Sequence, residues 1–558
     1  MRKGGICTVN DISKKRAAPT FLSGILVLTA ANLLTKIIGL VFKIPLTNML
    51  GDEGMGYFNT AYQIYTWLYM ISTAGLPVAL SLMISEYNAK NQRDKSRRIF
   101  RLSLTVFTVV GLCGSLLMFL LCRPLASFIS ADLSYLCILA IAPALFFVCI
   151  SSTIRGYFQG HRNMIPTAIS EVIESAGKLT IGIALGAYAL NKGYPLYKVA
   201  AYAIFGITAG IAAGALFLAL FASFSKKESS FPLEHSLERD TESSGRLLAS
   251  FLKIALPVML SSSLLSMSSM LDTLIVIRRL VGTGLAEEAA VSLYGNYTAY
   301  CVTLFNLPPV LIYPIVNTLI PSLSGARASG NTARVRTLMY KSLKLASVIA
   351  LPCSLGLAVM SGPVLKLIFT NAESAEMASP LLTALAPSVF LIGIMAVTNG
   401  VLQACRLQRY SVISMAAGAL VKAVSVYLLV GVRIGDGYLH MYASPISTFL
   451  FYLTITILNF YFIAKHTGVK VPVFSIFIRP FASSVVCAVS AAGIYMAGLR
   501  FMGEGRALTL LSVMTAAIVY SICLVILGGI TKEDIRLIPK AESLLRKFPH
   551  LSALIREK

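Results

Sequence analysis

The sequence predicts an all-α polytopic membrane protein of about fourteen transmembrane helices, in two pseudo-symmetric six-helix lobes followed by two C-terminal helices. Three observations carry that prediction. The first is composition. Of 558 residues, 56% are hydrophobic and 13% charged, with a mean hydropathy of +0.76, whereas a soluble domain carries about 25% charged residues. A soluble chain of this length would form several domains, each needing a charged surface. The charges for those surfaces are missing, which excludes a soluble enzyme and equally a disordered or fibrous chain. The second observation is a series of fourteen apolar runs, and the third an internal repeat.

The runs come in order. Crossing ~30 Å of hydrocarbon takes about 20 apolar residues. Residues 1–19 form a basic cytoplasmic segment like the front of a signal peptide. No small-residue cleavage site closes the next apolar run, which is therefore read as an uncleaved first span. The N-terminal lobe, 20–223, holds spans near 20–43, 57–85, 100–121, 133–154, 164–189 and 197–223. A polar cytoplasmic linker, 224–247, leads to the C-terminal lobe, 248–464, with spans near 248–276, 290–321, 342–365, 378–403, 410–431 and 439–463. Residues 465–529 supply the last two, near 476–498 and 507–529. The tail, 530–558, mixes Ile535, Leu537, Leu544, Leu545 and Phe548 with Lys and Arg, in the manner of an amphipathic helix on the inner leaflet. A solvated tail is the plainer alternative. Gly75-Leu76-Pro77 and Pro308-Pro309 interrupt the second and eighth spans, which should bend there.

The net charge is +24. In a soluble protein this would point to nucleic acid, but no basic pattern interleaves with aromatics, and nucleic acid is excluded as a partner. The positive-inside rule accounts for the excess. With the N-terminus inside, 34 of the 48 Lys and Arg residues fall in cytoplasmic segments, nine outside and five within spans. Both termini are therefore expected in the cytoplasm.

The halves repeat. Ala140-Ile141-Ala142-Pro143 matches Ala384-Leu385-Ala386-Pro387 at an offset of 244, and the same offset pairs Gly156 with Gly400, Gln159 with Gln403, Arg162 with Arg406 and Lys178 with Lys422. Thr60-Ala61-Tyr62 matches Thr298-Ala299-Tyr300 at 238. Polar matches at a fixed offset are not expected by chance. Parallel repeats of this kind characterise transporters that rock two lobes about a midplane site.

Charges inside the bilayer are functional candidates, because each costs at least ~2.5–3.5 kcal/mol on insertion scales. Lys36 and Lys43 lie seven residues apart on one face of the first span. They should line a wet cavity and await an anion, although Lys43 is also placed to snorkel to the outer interface. The fifth span carries Glu171, Glu174 and Lys178, with Glu174 and Lys178 spaced as an i, i+4 pair; a buried structural salt bridge competes there with a substrate role. Lys422 has no acidic residue at the matching place, and Asp272 in the seventh span is its nearest candidate partner, so the two are expected to form a switch or a coupling-cation site. Arg155, in Arg155-Gly156-Tyr157-Phe158-Gln159-Gly160, suits a bidentate phosphate contact or an ordinary positive-inside position.

Other chemistries lack their residues. The ten cysteines form no CxxC pair, the five histidines fall in loops, span ends or the tail, and no P-loop is present. No cofactor is expected beyond a coupling Na+ or H+.

Leu34-Thr35-Lys36-Ile37-Ile38-Gly39 resembles the first-helix motif of the MurJ-type lipid flippases. Gly51-Asp52-Glu53-Gly54-Met55-Gly56-Tyr57, Gly75-Leu76-Pro77-Val78-Ala79-Leu80, the Arg155–Gly160 block and Gly418-Ala419-Leu420-Val421-Lys422 are closer to the SpoVB branch. Both belong to the MOP superfamily, which also holds multidrug exporters of the MATE type. The resemblance implies a V-shaped bundle with a cationic cavity entered between the first and eighth helices, and a groove for a polyprenyl tail on the last two. It implies a polyprenyl-diphosphate-linked sugar, above all lipid II, as cargo, a bacterial plasma membrane as location, and cell-wall synthases as partners. Lys36 takes the place of the family's first-helix arginine, Lys43 matches a basic position, and Asn296 lies near the family's eighth-helix arginine. Asp272 suits the carboxylate of a sodium site, where Lys422 is placed to replace the ion. A diphosphate needs cations at membrane depth, whereas a cationic drug would need carboxylates. The expected function is a flippase for a lipid-linked cell-wall precursor working by alternating access. Another lipid-linked polysaccharide, a MATE-like antiporter and a non-transporting scaffold are the alternatives.

Overall fold

Residues 21–90, 92–161, 163–228, 243–434, 437–469 and 471–529 are described by a computed structural model. The basic segment 1–19, most of the linker 224–247 and the tail 530–558 lie outside the described residues.

The chain is helical almost throughout. The first helix, α1 (Phe21–Thr73), is one run of 53 residues with a non-helical Gly51, φ +62° and ψ −167°. Phe42 packs on Phe58 with ring centroids 6.3 Å apart, and Lys43 reaches Asn59 at 3.2 Å. These contacts are symmetric about Gly51, so the chain doubles back there into two antiparallel arms. Only glycine takes that positive φ without strain. The second arm stops at Thr73 and resumes as α2 (Leu76–Ala89), with Pro77 in its first turn, where a missing N–H costs nothing. The N-lobe continues with α3 (Arg93–Leu120), a short α4 (Cys122–Ile129), α5 (Tyr135–Gly160), α6 (Ile165–Asn191) and α7 (Leu196–Glu228).

The C-lobe begins with α8 (Ser244–Gly282). Its eighth span is built from α9 (Glu287–Asn296), a π-helical turn (Tyr297–Cys301), α10 (Val302–Phe305) and α11 (Leu307–Ala328). The chain bends at Asn306, ahead of Pro308-Pro309. Next come α12 (Thr332–Val359), α13 (Ser361–Ile368), α14 (Ala372–Leu385), α15 (Pro387–Ala404) and α16 (Gln408–Val430). A two-residue hairpin, β1 (Arg433–Ile434) on β2 (Gly437–Tyr438), precedes α17 (Ala443–Thr467). The last pair, α18 (Val473–Met502) and α19 (Arg506–Ile526), is pinned to the C-lobe by Tyr520, which donates to the Val348 carbonyl at 2.7 Å, and by Lys366, which reaches Glu504 at 3.3 Å.

Helices occupy all fourteen expected segments. Among the described residues, twelve helical runs are long and apolar enough to cross a membrane. The first two spans form one continuous run, Ala30–Asn88, and α6 is not among the twelve; Glu171, Glu174 and Lys178 lower its hydropathy.

The repeat is visible in the packing. A Cβ on Gly156 would sit 2.8 Å from Pro77, and a Cβ on Gly400 would sit 2.8 Å from Val316. Equivalent glycines thus let α5 and α15 approach equivalent positions of the second and eighth spans. Thr60 Oγ1 donates to the Gly56 carbonyl and Thr298 Oγ1 to the Tyr294 carbonyl, both at 2.8 Å.

The lobes share one apolar core at the end that carries Asp52, where Leu50, Tyr57, Ile141, Tyr294, Leu382 and Val430 belong to a single cluster. At the opposite end, near Arg97 and Arg327, the cores separate. Ile312, Leu323, Met339 and Leu402 pack within the C-lobe, while Leu80, Ile84 and Phe107 pack within the N-lobe. The division by sequence is crossed at one helix. Leu247, Phe251 and Ala255, from the first half of α8, join the N-lobe core, whereas Asp272 in its second half bonds into the C-lobe.

Candidate functional site

The hairpin of α1 sets the first group. Lys43 Nζ donates to Asn59 Oδ1 across the hairpin. Lys178, from α6, lies 5.4 Å over the Phe42 ring, close enough to Lys43 for the two ammonium groups to repel one another. Gly182, one turn further along α6, lies against the same Phe42 ring and brings the helices together. Neither Lys43 nor Lys178 has a carboxylate partner among the described residues. Lys36 is exposed and likewise unpaired among the described residues. Its spacing puts it on the same face of α1 as Lys43, yet Lys43 is half-buried and bonded inward. Lys43 and Lys178 thus form a close pair of cations, and Lys36 lies two turns before Lys43 on α1, all three without a carboxylate partner among the described residues.

The structure corrects two expectations about the acidic residues and Arg155. Glu174 does not pair with Lys178. Its Oε2 accepts from Arg155 Nη2 at 2.9 Å, and Arg155 Nε donates to Ser170 Oγ at 3.0 Å. A guanidinium projecting from the neighbouring α5 offers two directed donors, which a flexible ammonium on the same helix cannot match. Arg155 is therefore buried and committed, with Tyr65 and Tyr69 near the pair, and it is not free for a phosphate. Glu171 stands beside the pair with a buried Oε2 that has no hydrogen-bond partner among the described residues.

The C-lobe holds a tighter group. Lys422 Nζ, from α16, lies 2.8 Å from Asp272 Oδ2, 2.8 Å from Ser268 Oγ and 2.9 Å from Thr448 Oγ1. Lys422 is 1% exposed and Asp272 6%. Three oxygens converge on the ammonium as they would on a small cation. Nζ occupies the place such an ion would take, while Asp272 Oδ1, also buried, has no hydrogen-bond partner among the described residues. No cluster of three or more His, Cys, Asp or Glu able to hold a metal occurs among the described residues.

A third group closes the Asp52 end. Asp52 Oδ2 accepts from Ser374 Oγ at 2.8 Å and from Asn296 Nδ2 at 3.1 Å, and Asn296 Nδ2 also reaches the Ser374 carbonyl at 2.9 Å. The Thr370 N–H donates to Asn48 Oδ1 at 3.3 Å, and the Asp132 N–H to Glu287 Oε1 at 2.6 Å. Gly56 abuts the Val291 carbonyl and Gly295 the Asp52 carbonyl, so α1 and α9 meet backbone to backbone. Asn296, expected at the substrate, is instead buried in this seal. Its amide nitrogen donates to two neighbours, the Asp52 carboxylate and the Ser374 carbonyl, and is committed there.

Asp52, Ser374, Asn59, Ser268 and Thr448 were not singled out from the sequence. Small polar residues in apolar helices commonly bond their own backbone, and only tertiary contacts show otherwise. Asp52 had a signal in its glycine-flanked run, and Thr298 in the repeat.

Two families match the chain. One, described as polysaccharide biosynthesis protein, covers residues 21–327, and the other, MatE, covers 257–428. Stage V sporulation protein B of Bacillus subtilis (strain 168) is 26% identical over 94% of this chain and 98% of its own length. The lipid II flippase MurJ of the same organism is 25% identical over 80% of this chain and 83% of its own. A solved structure of lipid II flippase MurJ in an inward closed conformation superposes with a TM-score of 0.67 at 13% identity, over 90% of this chain and 98% of that one.

Proposed function

The chain belongs to the polysaccharide biosynthesis protein family, and from that premise we propose that it is a flippase for a polyprenyl-diphosphate-linked cell-wall precursor, lipid II first among them. It is a multi-pass transporter of the MOP superfamily rather than an enzyme. In the proposed cycle the head group enters from the inner leaflet, binds the N-lobe cations and leaves to the outer leaflet once the Asp52 seal has opened and the other end has closed. The charge bias assigns the Arg97 end to the cytoplasm and the Asp52 end to the outside.

The observation that carries this reading is the set Lys36, Lys43 and Lys178. Moving two or more phosphate charges through an apolar medium costs many kcal/mol unless cations meet them. A carrier of organic cations would have free carboxylates in that place. Here Glu174 is spent on Arg155, and Glu171, which makes no ion pair of its own among the described residues, stands beside that same guanidinium rather than beside the three lysines. Lys36 is the first contact in this scheme, since it is exposed and unpaired. Asp272 and Lys422 serve as the switch of the C-lobe, with the ammonium in the place of a coupling ion.

The test is rescue of a strain depleted of its own lipid II flippases, with wild type and Lys36→Ala expressed side by side. Rescue by wild type alone supports lipid II as cargo and Lys36 as its contact. Failure of both, with membrane expression verified, moves the proposal to another lipid-linked polysaccharide or to a drug.

A further inference from the structure

Residues 294–298 face two ways. Tyr294 Oη lies 2.6 Å from Thr273 Oγ1, next in sequence to Asp272, and Tyr297 is buried beside Asp272. These contacts tie the segment to the C-lobe ion pair. Asn296 Nδ2 donates to Asp52, and Thr298 Oγ1 accepts from Asn59 Nδ2 at 2.9 Å. These tie it to the N-lobe. In a regular α-helix, positions 294 and 298 would share a face. Here α9 runs into the π-helical turn at Tyr297, and such a turn re-aims side chains, often at functional sites.

The N-lobe contact extends one step further, to Lys43. Asn59 is 1% exposed and Thr298 4%. The Thr298 proton is committed to the Tyr294 carbonyl, so its oxygen can only accept from Asn59. Asn59 must therefore present Nδ2 to Thr298 and Oδ1 the other way, and the donor that holds Oδ1 is Lys43 Nζ. Without that donor the Asn59 Oδ1 is left buried and unpaired, a penalty that the side chain relieves by turning away from Thr298. The Lys43 bond is also long, at 3.2 Å, whereas an ammonium–phosphate bond is typically about 2.7–2.9 Å and charge-assisted. A phosphate would compete well for this ammonium.

We propose that Lys43, Asn59 and Thr298 form a relay that couples occupation of the cationic site to release of the Asp52 seal: an anionic head group draws the Lys43 ammonium off Asn59, and the interlobe bond to Thr298 fails. The relay rests on the cationic-site reading given above. Asn59 and Thr298 are positioning residues and touch no substrate. Because Tyr294 and Tyr297 belong to the same segment, movement of the seal is transmitted to Asp272 and Lys422.

The experiment uses the full chain in phospholipid vesicles, its ten cysteines replaced and single cysteines placed at Asn48 and Thr370, which touch across the seal. Disulfide yield then reports the closed seal, and undecaprenyl diphosphate is the probe. In the otherwise wild-type chain the probe should lower the yield. Thr298→Val keeps the shape but loses the acceptor, and it should lower the probe-free yield roughly fivefold, the effect of one buried hydrogen bond. It should also remove the response to probe while leaving probe binding, measured by co-purification, intact. Thr298→Ser should behave as wild type, which separates the hydroxyl from general damage. A Thr298→Val chain with wild-type yield and wild-type probe response would overturn the relay. If the otherwise wild-type chain binds no probe while Thr298→Val still lowers the yield, the cationic-site reading fails and the Asn59–Thr298 latch stands.

Discussion

Lys36 and Lys422 are both lysines in apolar helices, but their surroundings make opposite demands on a substitute. Lys36 is exposed and contributes charge. Lys36→Arg should therefore preserve transport, and Lys36→Glu should abolish it by repelling a diphosphate; growth rescue of a flippase-depleted strain reads both, and equal activity of all three chains removes Lys36 from the site. Lys422 is buried against one carboxylate and two hydroxyls. Breaking a buried pair from one side costs about 3–5 kcal/mol because the other charge is stranded. Lys422→Met alone should thus lower the melting temperature strongly in detergent. Adding Asp272→Asn to it should recover most of that loss without restoring transport. Should Asp272→Asn and Lys422→Gln each transport normally, the pair is no switch.

At the scale of elements, glycines decide where helices meet. Gly56 and Gly295 let α1 and α9 touch by backbone, and a Cβ on Gly295 would run into the Asp52 carbonyl. Gly295→Ala should weaken the seal and raise the labelling of a cysteine placed at Asn296, whereas Gly39→Ala, which meets open space, should not change it. Gly51 acts differently, through its φ of +62°. Gly51→Ala should destabilise the hairpin of α1 by about 1–3 kcal/mol, measurable by thermal unfolding, since φ +62° with ψ −167° is a conformation essentially reserved for glycine. The interruptions in the second and eighth spans were legible from Pro77 and Pro308. The π-helical turn was not, because no residue type encodes a π-turn and its geometry depends on what packs around it.

For the whole molecule, the charge bias predicts an orientation. A cysteine in the turn at Gly193, between α6 and α7, should be labelled from outside intact cells by an impermeant reagent, and a reporter fused after Lys558 should respond only from the cytoplasm. A Gly193 cysteine protected from the reagent together with a reporter that responds outside the cell would invert the assignment and with it the direction proposed for transport. The bundle is closed at the Asp52 end, where a single core joins the lobes, and divided at the other, where the cores are separate.

The sequence by itself determined the class, the number of apolar segments and the repeat, because hydropathy is a property of each stretch alone and a duplication keeps its offset. It also marked the cations and the candidate partner of Lys422, since charge in a bilayer is costly wherever it sits. Only the tertiary structure decided which charges meet. Arg155 reaches Glu174 ahead of Lys178 through the approach of α5 to α6, and α8 serves both lobes because its two halves find different apolar partners. Asn296 seals the lobes since Asp52 arrives from the turn of α1. Those choices depend on distances between helices, which periodicity along one chain does not encode.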